Sequence, residues 1–181
     1  MKKVLFVGYG RAGKDEAAQF AEAHLGLRYG GSFSWHAKEY VAERMGVHPM
    51  TAWENRHENR KDWYMLCNEM REVDITVLAK KALATGDIVA GLRDKPELDA
   101  VVSQGLFDSI VWVDREVPVD PTVTFTMFDV LNAGGTIIHN HGTLGEYHLR
   151  LILFFRDQLK VPVRLSGYAM NLLDRDARAS E

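Results

Sequence analysis

The amino-acid sequence predicts an α/β fold with three layers, in which a mainly parallel five-stranded sheet is flanked by helices. Two observations predict this class. Strand-like apolar runs alternate with helical patterns along the chain, and the first run leads directly into a glycine-rich turn. With 181 residues, 46% of them hydrophobic and 26% charged, the composition is that of an ordinary globular domain. We therefore interpret residues 1–181 as one domain.

Five short apolar runs supply the predicted strands, and their number suits a five-stranded sheet. The strands are Val4–Val7, Leu27–Tyr29, Ile88–Ala90, Ile110–Val113 and Thr136–His139.

Between these runs, apolar residues recur at spacings of three and four, as in helices that pack on a sheet. A longer helix, expected to bend, is predicted from Asn59 to Ala84, and Gly86 supplies its stop. The remaining predicted helices are Lys14–His24, Trp35–Met45, Pro96–Gln104 and Glu146–Phe155.

Two segments depart from this alternation. Residues 115–135 contain Pro118 and Pro121, which break regular structure, and end at Gly134 and Gly135, so we predict a mobile lid or a connection there. The polar residues 174–181 are expected to fray.

Charge and composition exclude several partners. The 22 Lys and Arg residues against 25 Asp and Glu residues give a net charge of −3, which provides no footprint for nucleic acid or an anionic membrane. No apolar run approaches the roughly 20 residues of a membrane span. The single cysteine, Cys67, cannot form an internal disulfide, so the cytoplasm is the expected compartment. A small molecule is the expected partner.

The strongest motif is Gly-x-x-x-x-Gly-Lys, formed by Gly8, Gly13 and Lys14 between a predicted strand and a predicted helix. Its glycines permit torsions and close approaches that a Cβ would block, so successive N–H groups can face one concavity. The helix dipole and the Lys14 ammonium add positive charge there. We therefore predict a P-loop. Its ATP-binding residues are Gly8, Tyr9, Gly10, Arg11, Ala12, Gly13, Lys14, Asp15 and Glu16.

Asp15 and Glu16 stand where hydroxyl residues usually hold Mg²⁺ in such loops. A carboxylate is a good ligand for Mg²⁺, so Asp15 is the predicted metal ligand. Acidic residues also suit the positive end of a helix. This second explanation is as good as the first for Asp15 and is the better one for Glu16.

At this point the sequence resembles the bacteriophage deoxynucleoside monophosphate kinases, whose loop reads Gly-Lys-Asp where other P-loop kinases have Gly-Lys-Ser or Gly-Lys-Thr. The run Gly13-Lys14-Asp15 is similar to that motif. Further stretches that resemble the family are Ser32–Lys38, Arg60–Arg71, Ile88–Arg93 with the following Pro96-Glu97, and Thr136–Glu146.

The resemblance implies that ATP binds at the first loop and that arginines of the long helix and the third strand hold a monophosphate. Arg71 and Arg93 are the matching positions. The sequence departs from the family at Glu16, which replaces a hydroxyl residue, and at Gly91, where related kinases often carry an acid.

The residues themselves support an arginine site. Arg93 follows a predicted strand, and ligands of open α/β sheets bind beyond the carboxyl ends of strands. The guanidinium fork suits phosphate better than an ammonium does. The predicted substrate-binding residues are Ser34, Trp35, His36, Lys38, Arg60, Lys61, Arg71 and Arg93; the predicted catalytic residues are Lys14, Arg11, Arg93 and Arg115.

Two other patterns are open to a functional interpretation. Trp35, Trp53 and Trp63 could stack on a base, although aromatic residues at helical spacing usually belong to the core. His139-Asn140-His141 could indicate a nuclease motif or a metal pair. We interpret this run as polar residues that satisfy a turn, because the chain nearby offers no Cys, Asp or third His to complete a zinc site.

We therefore expect ATP-dependent phosphorylation of a deoxynucleoside monophosphate, with Mg²⁺, in the cytoplasm, or in the host cytoplasm if the source is viral. Two alternatives stay open: a P-loop kinase for another small acceptor, such as a modified nucleotide or a coenzyme precursor, and a nucleotide-binding protein without turnover. A homodimer is compatible with the sequence, which does not determine the number of chains in the assembly.

Overall fold

A computed structural model describes residues 2–179 and contains one sheet whose five strands are all parallel. The strand order is β2-β3-β1-β4-β5. The predicted α/β class and the five-stranded sheet flanked by helices are confirmed. The strands are β1 Val4–Val7, β2 Tyr29–Ser32, β3 Ile88–Ala90, β4 Ser109–Asp114 and β5 Thr136–His139.

The helices connect these strands. A 3₁₀ turn at Asn55–His57 precedes α4, and a π turn at Phe154–Gln158 follows α8. The helices are α1 Lys14–Leu25, α2 Phe33–Met45, α3 Pro49–Glu54, α4 Arg60–Val73, α5 Val77–Thr85, α6 Lys95–Ser103, α7 Met127–Asn132, α8 Leu144–Leu153 and α9 Gly167–Ala179. No helix within residues 2–179 is both long enough and apolar enough to cross a membrane.

Two hydrophobic cores lie on opposite faces of the sheet. Leu5 and Val7 point into a core with α2, α4 and α5, whereas Val4 and Phe6 point into a core with α1, α8 and α9. Alternate residues of a strand face opposite sides, so a sheet covered on both faces must be apolar at every position. All four residues of β1 are fully buried, and β1 is the middle strand, so the loop that follows it lies at the middle of the carboxyl edge of the sheet.

Strand β2 lies at Tyr29–Ser32 rather than at Leu27–Tyr29. Glycine is uncommon in strands, so the sequence did not predict a strand at these residues. Packing nevertheless requires the glycines. A Cβ on Gly30 would lie 2.4 Å from the carbonyl oxygen of Ala82, so only glycine allows this close approach of two backbones.

The predicted helix Asn59–Ala84 is wrong as a single element, because the chain forms α4 and α5 with a break between them. Asp74 has extended backbone torsions, and its Oδ1 accepts hydrogen bonds from the backbone N–H and the hydroxyl of Thr76, both at 2.9 Å. Such a local side-chain turn competes with the helical hydrogen bonds and ends the helix.

Two segments that we expected to be irregular contain regular structure or tertiary contacts. Residues 174–179 form the exposed end of α9, where fraying stays a prediction, and residues 180 and 181 lie outside the described part. In the predicted lid, Phe125 is buried, and the N–H of Thr124 donates to the carbonyl oxygen of Arg93 at 2.9 Å. The lid therefore packs against the chain after β3, and its motion stays a prediction.

Candidate functional site

The loop of residues 8–13 joins β1 to α1 at the carboxyl edge of the sheet, and its glycines are required by geometry. Gly8 and Gly13 have φ values of +137° and +103°. A Cβ would lie 2.8 Å from the carbonyl oxygen of Val113 in the first case and 2.5 Å from Nδ2 of Asn140 in the second. No side chain caps the N-terminus of α1. Its first N–H groups therefore have no side-chain acceptor and can receive an anion.

Lys14 closes this loop from within. Its Nζ donates to the carbonyl oxygen of Tyr9 at 2.6 Å, and the residue is only 6% exposed. Burial, followed by the charge of Arg93, lowers the pKa of Lys14 to about 8. The ammonium thus lies in a positive and poorly solvated place, where a neighbouring anion would stabilise it.

A cleft of about 1000 Å³ opens beside the loop, between β2, α2, α4 and the chain after β3. Among the residues lining it, six are Lys or Arg and one, Asp15, is acidic. Burial and the neighbouring arginines lower the pKa of His57, as expected in a positive field. The six cationic residues are Arg11, Lys14, Arg56, Arg60, Arg71 and Arg93.

Asp120 gathers several donors of this cleft on one oxygen atom. Its Oδ2 accepts from the N–H of Gly10 at 3.2 Å, from Nη1 of Arg93 at 2.6 Å, and from Nη2 of Arg60. Its Oδ1 accepts from the N–H and hydroxyl of Thr122. Although burial opposes it, the hydrogen bonds from Thr122 and Arg93 hold the pKa of Asp120 well below its usual range. The permanent carboxylate orients both guanidinium groups.

A second carboxylate holds Arg71. Nε of Arg71 donates to Oε2 of Glu97 at 2.9 Å, and Nη1 donates to Oδ1 of Asn68 at 2.7 Å. Glu97 is completely buried, and this burial raises its pKa to about 7, against the opposing effect of Arg71. Because a guanidinium has five N–H donors, Arg71 keeps donors for the cleft that it lines.

Aromatic rings form one wall of the cleft. Trp35 and Trp53 meet edge to face with ring centroids 5.1 Å apart, and Trp53 and Trp63 do so at 6.2 Å. The guanidinium of Arg56 lies 3.8 Å from the centre of the Trp53 ring. Cys67 also lines the cleft, but burial raises its pKa to about 11, so the thiol stays protonated at neutral pH.

The cleft brings together most of the predicted site residues and leaves three basic residues out. Lys38 lies over the Trp35 ring at 3.2 Å, and Lys61 is exposed in the first turn of α4; neither lines the cleft. Arg115 lines a separate cavity of about 320 Å³ beside Tyr9. The predicted residues in the cleft are Gly10, Arg11, Lys14, Asp15, Ser34, Trp35, His36, Arg60, Arg71 and Arg93.

Asp15 and Glu16 point to different parts of the molecule. Oδ1 of Asp15 accepts from the hydroxyl of Tyr29 at 3.3 Å, at the edge of the cleft. Oε1 of Glu16 lies 2.8 Å from Nε2 of the buried His148, whose Nδ1 lies 3.0 Å from the hydroxyl of Tyr168. Glu16 therefore ties α1 to α8 and α9, and it does not line the cleft.

The reason for excluding a metal pair at His139 and His141 was wrong, because the structure brings an aspartate, a side chain that can ligate a metal, next to them. Strands β4 and β5 pair in parallel with Asp114 opposite His139. Oδ2 of Asp114 lies 2.8 Å from Nδ1 of His139 and 2.9 Å from Nε2 of His141. A separation of 25 residues along the chain hid this neighbour from the sequence.

Sequence reasoning also missed other side chains of the site. Tyr29 and Arg56 line the cleft from a glycine-rich strand and a 3₁₀ turn, and Asp120 and Glu97 hold its arginines. Among these residues, only Glu97 stands in a recognisable sequence pattern, because it is an acid in the first turn of a predicted helix. Acids are common at that position, so the pattern does not indicate a functional site.

No protein-family model matches the sequence, and a search of curated proteins gives no significant match. A functional conclusion must therefore rest on the residues and the geometry described above.

Proposed function

We propose that the protein is a P-loop kinase that transfers the γ-phosphoryl group of MgATP to a deoxynucleoside monophosphate. The observation that carries the proposal is one continuous arrangement: a glycine-rich loop closed by a buried lysine opens onto a cleft with six cationic residues and one acidic residue. Such a cleft fits polyanionic ligands, and phosphoryl transfer requires chiefly positioning and charge stabilisation.

The loop is the donor site in this proposal. The N–H groups of residues 8–14 and the uncapped N-terminus of α1 would bind the β and γ phosphates, with Lys14 between them. Lys14 loses hydration because it is buried, and a bound phosphate would replace that lost interaction. Phosphate binding would therefore explain why a lysine is buried at this position.

Asp15 is the ligand we assign to Mg²⁺. Its carboxylate faces the cleft one residue after Lys14 and offers the hard oxygen that this ion prefers. When bound, Mg²⁺ would neutralise charge on the phosphate oxygens. Glu16 is assigned no role with the ion because it contacts His148.

The arginines form the acceptor site. Arg71, which Glu97 fixes, would hold the acceptor monophosphate, while Trp35 and Trp53 offer partly exposed ring surface for a base. Oδ2 of Asp120 accepts from Arg60, from Arg93 and from the N–H of Gly10 in the loop, so both guanidinium groups lie close to the loop. They are placed to stabilise the transferred group.

In the proposed reaction an oxygen of the acceptor phosphate forms a bond to the γ phosphorus, and the bond from that phosphorus to the β–γ bridging oxygen breaks. The products are ADP and a deoxynucleoside diphosphate. Arg11, Arg60 and Arg93 would offset the charge on the group in transit. Arg115, which lines the other cavity beside Tyr9, is assigned no part in this step.

A nucleotide-binding protein without turnover is the second candidate. The observation that favours it is the lack of a hydroxyl residue after Lys14, together with the engagement of Glu16 by His148.

An assay of ADP formation separates these candidates. The purified protein is mixed with MgATP and each of the four deoxynucleoside monophosphates, with ribonucleotides and coenzyme precursors as further acceptors. Acceptor-dependent ADP is expected with at least one deoxynucleotide, and Lys14→Ala should reduce it at least about 10³-fold. Lys61→Ala, a lysine outside the cleft, is the matched control and should retain activity. MgATP binding without acceptor-dependent ADP would favour the second candidate.

A further inference from the structure

A second cluster of chemically active side chains lies outside the cleft, at the carboxyl ends of β4 and β5. It consists of Asp114, His139 and His141, which we call the Asp-His-His cluster. One carboxylate oxygen and one ring nitrogen from each histidine lie within 4.8 Å of one another. None of the three residues lines the cleft of the proposed kinase site.

The three candidate ligand atoms of this cluster lie close enough together to surround one metal ion. Both ring nitrogens approach the same oxygen, Oδ2 of Asp114, at 2.8 and 2.9 Å. A tetrahedral Zn²⁺ ion about 2.0–2.1 Å from an imidazole nitrogen and from a carboxylate oxygen holds these two atoms about 3.3–3.4 Å apart. An ion would therefore replace the two hydrogen bonds to Asp114 and move the ligand atoms apart by about 0.5 Å.

The backbone around the cluster is fixed by other contacts. Nη1 of Arg150 donates to the carbonyl oxygens of both His139 and His141, at 3.1 and 3.0 Å. Between the two histidines, Asn140 is buried, and its Nδ2 donates to the carbonyl oxygen of Ala12 at 2.7 Å. Asn140 thus anchors the segment to the glycine-rich loop, whereas the side chains of His139 and His141 on either side of it are exposed to solvent. These contacts restrict the backbone, which reduces the backbone entropy that the two histidines would lose on binding a metal.

The cluster is accessible from solvent. The side chains of His139 and His141 are 60% and 52% exposed, and that of Asp114 is 32% exposed. An ion can therefore enter, and water can occupy its remaining coordination positions, as in zinc sites with three protein ligands.

We propose that Asp114, His139 and His141 bind one Zn²⁺ ion, or a chemically similar divalent transition metal, at a site distinct from that of Mg²⁺. Imidazole nitrogens favour this class of metal over Mg²⁺, which prefers a shell of oxygen ligands. The bound ion would connect the ends of β4 and β5 next to the glycine-rich loop. This site does not depend on the proposed kinase activity.

Titration of the full-length protein tests the site directly. Protein without a histidine tag is treated with a chelator, dialysed, and titrated with Zn²⁺ by calorimetry and with Co²⁺ by visible absorption. One saturable site per chain is expected, and a large excess of Mg²⁺ should not displace Zn²⁺. His139→Ala, His141→Ala and Asp114→Asn should each weaken binding at least about tenfold, the lower end of what even an outer-shell partner contributes.

His48→Asn is the matched control, because His48 caps a distant helix and asparagine also caps well. Its affinity should equal that of the wild type. Imidazole NMR signals of the wild-type protein provide a readout that does not require any variant to fold: Zn²⁺ should shift those of His139 and His141 and not that of His48. The proposal is overturned if saturable binding does not occur, if the NMR signals of these two residues do not move, or if folded variants bind Zn²⁺ as tightly as the wild type.

Discussion

The glycine-rich loop and the arginine cleft adjoin each other, yet they are built in different ways. The loop is one continuous stretch whose shape depends on its own glycines and on Lys14. Three of the cleft arginines, Arg60 and Arg71 of α4 and Arg93 after β3, are oriented by Asp120 and Glu97, which lie 26 to 60 residues further along the chain. The comparison teaches that a site made of backbone can be encoded locally, whereas a site made of long cationic side chains needs carboxylates supplied by the fold.

The largest expected effect comes from breaking the loop. Gly13→Ala would place a Cβ 2.5 Å from Nδ2 of Asn140 at a φ of +103°, so the loop must deform. We expect MgATP affinity, measured by calorimetry, to fall by at least about 100-fold, since a displacement of about 1 Å can have an effect of that size. Gly167→Ala, where an added Cβ meets nothing within 4 Å, is the control. Equal affinity in Gly13→Ala would mean that the loop conformation is not required.

Removing the charge of Asp120 should affect the cleft more than the loop. Asp120→Asn keeps the shape of the side chain but weakens its hold on Arg60 and Arg93. We expect kcat/KM to fall by about 10- to 100-fold, mainly through the acceptor and the transfer step, with MgATP affinity changed less. Steady-state kinetics with each substrate varied in turn measures this, with Asp108→Asn, an exposed residue at the opposite end of β4, as the control. Unchanged kinetics would show that Asp120 does not position the arginines.

The buried Glu97 should make folding stability depend on pH. Its pKa of about 7 in the folded protein lies above the ordinary value of 4.5, so between these values the folded state holds a proton that the unfolded chain has released. The stability from this group is fully present below about pH 4.5 and is lost as pH rises through 7. We expect wild type to lose about 1–3 kcal/mol across this range relative to Glu97→Gln. Urea unfolding of both proteins at pH 5 and pH 8 measures the difference, and parallel pH profiles would contradict it.

The smallest effect is expected at Glu16. Because its carboxylate contacts His148 rather than the cleft, Glu16→Gln should change kcat by less than about threefold. The matched variant Asp15→Asn, one residue earlier and facing the cleft, should instead raise the Mg²⁺ concentration needed for activity. The opposite ranking of the two variants in a magnesium titration would reverse our assignment of these neighbouring carboxylates.

The contrast between local and long-range contacts also explains which elements of the fold could be predicted from the sequence. Strands β1, β3 and β4 lie close to their predicted positions because buried parallel strands form continuous apolar runs, and the less buried β5 also lies where it was predicted. The predicted position of β2 was wrong because Gly30, which does not indicate a strand, is required there by its contact with Ala82. The break between α4 and α5 was not predicted because it depends on the hydrogen bond from Thr76 to Asp74.

In the site, the placement of Lys14 and Arg93 followed from local patterns. Asp120 could not be foreseen, because its partners Gly10, Arg60 and Arg93 meet only in the folded chain. The same holds for Asp114 beside His139, a contact created by the parallel pairing of β4 and β5.

The central claim is that the glycine-rich loop holds the polyphosphate of a nucleotide against Lys14. The pKa of Lys14 is lowered to about 8, and a bound polyphosphate should raise it. Calorimetric titration with MgATP at pH 8, in buffers of different ionisation enthalpy, measures the protons taken up. We predict uptake of about half a proton per chain, an affinity that falls as pH rises through 8, and loss of both features in Lys14→Ala. MgATP binding with no proton uptake, and with the same affinity in Lys14→Ala, would contradict the claim.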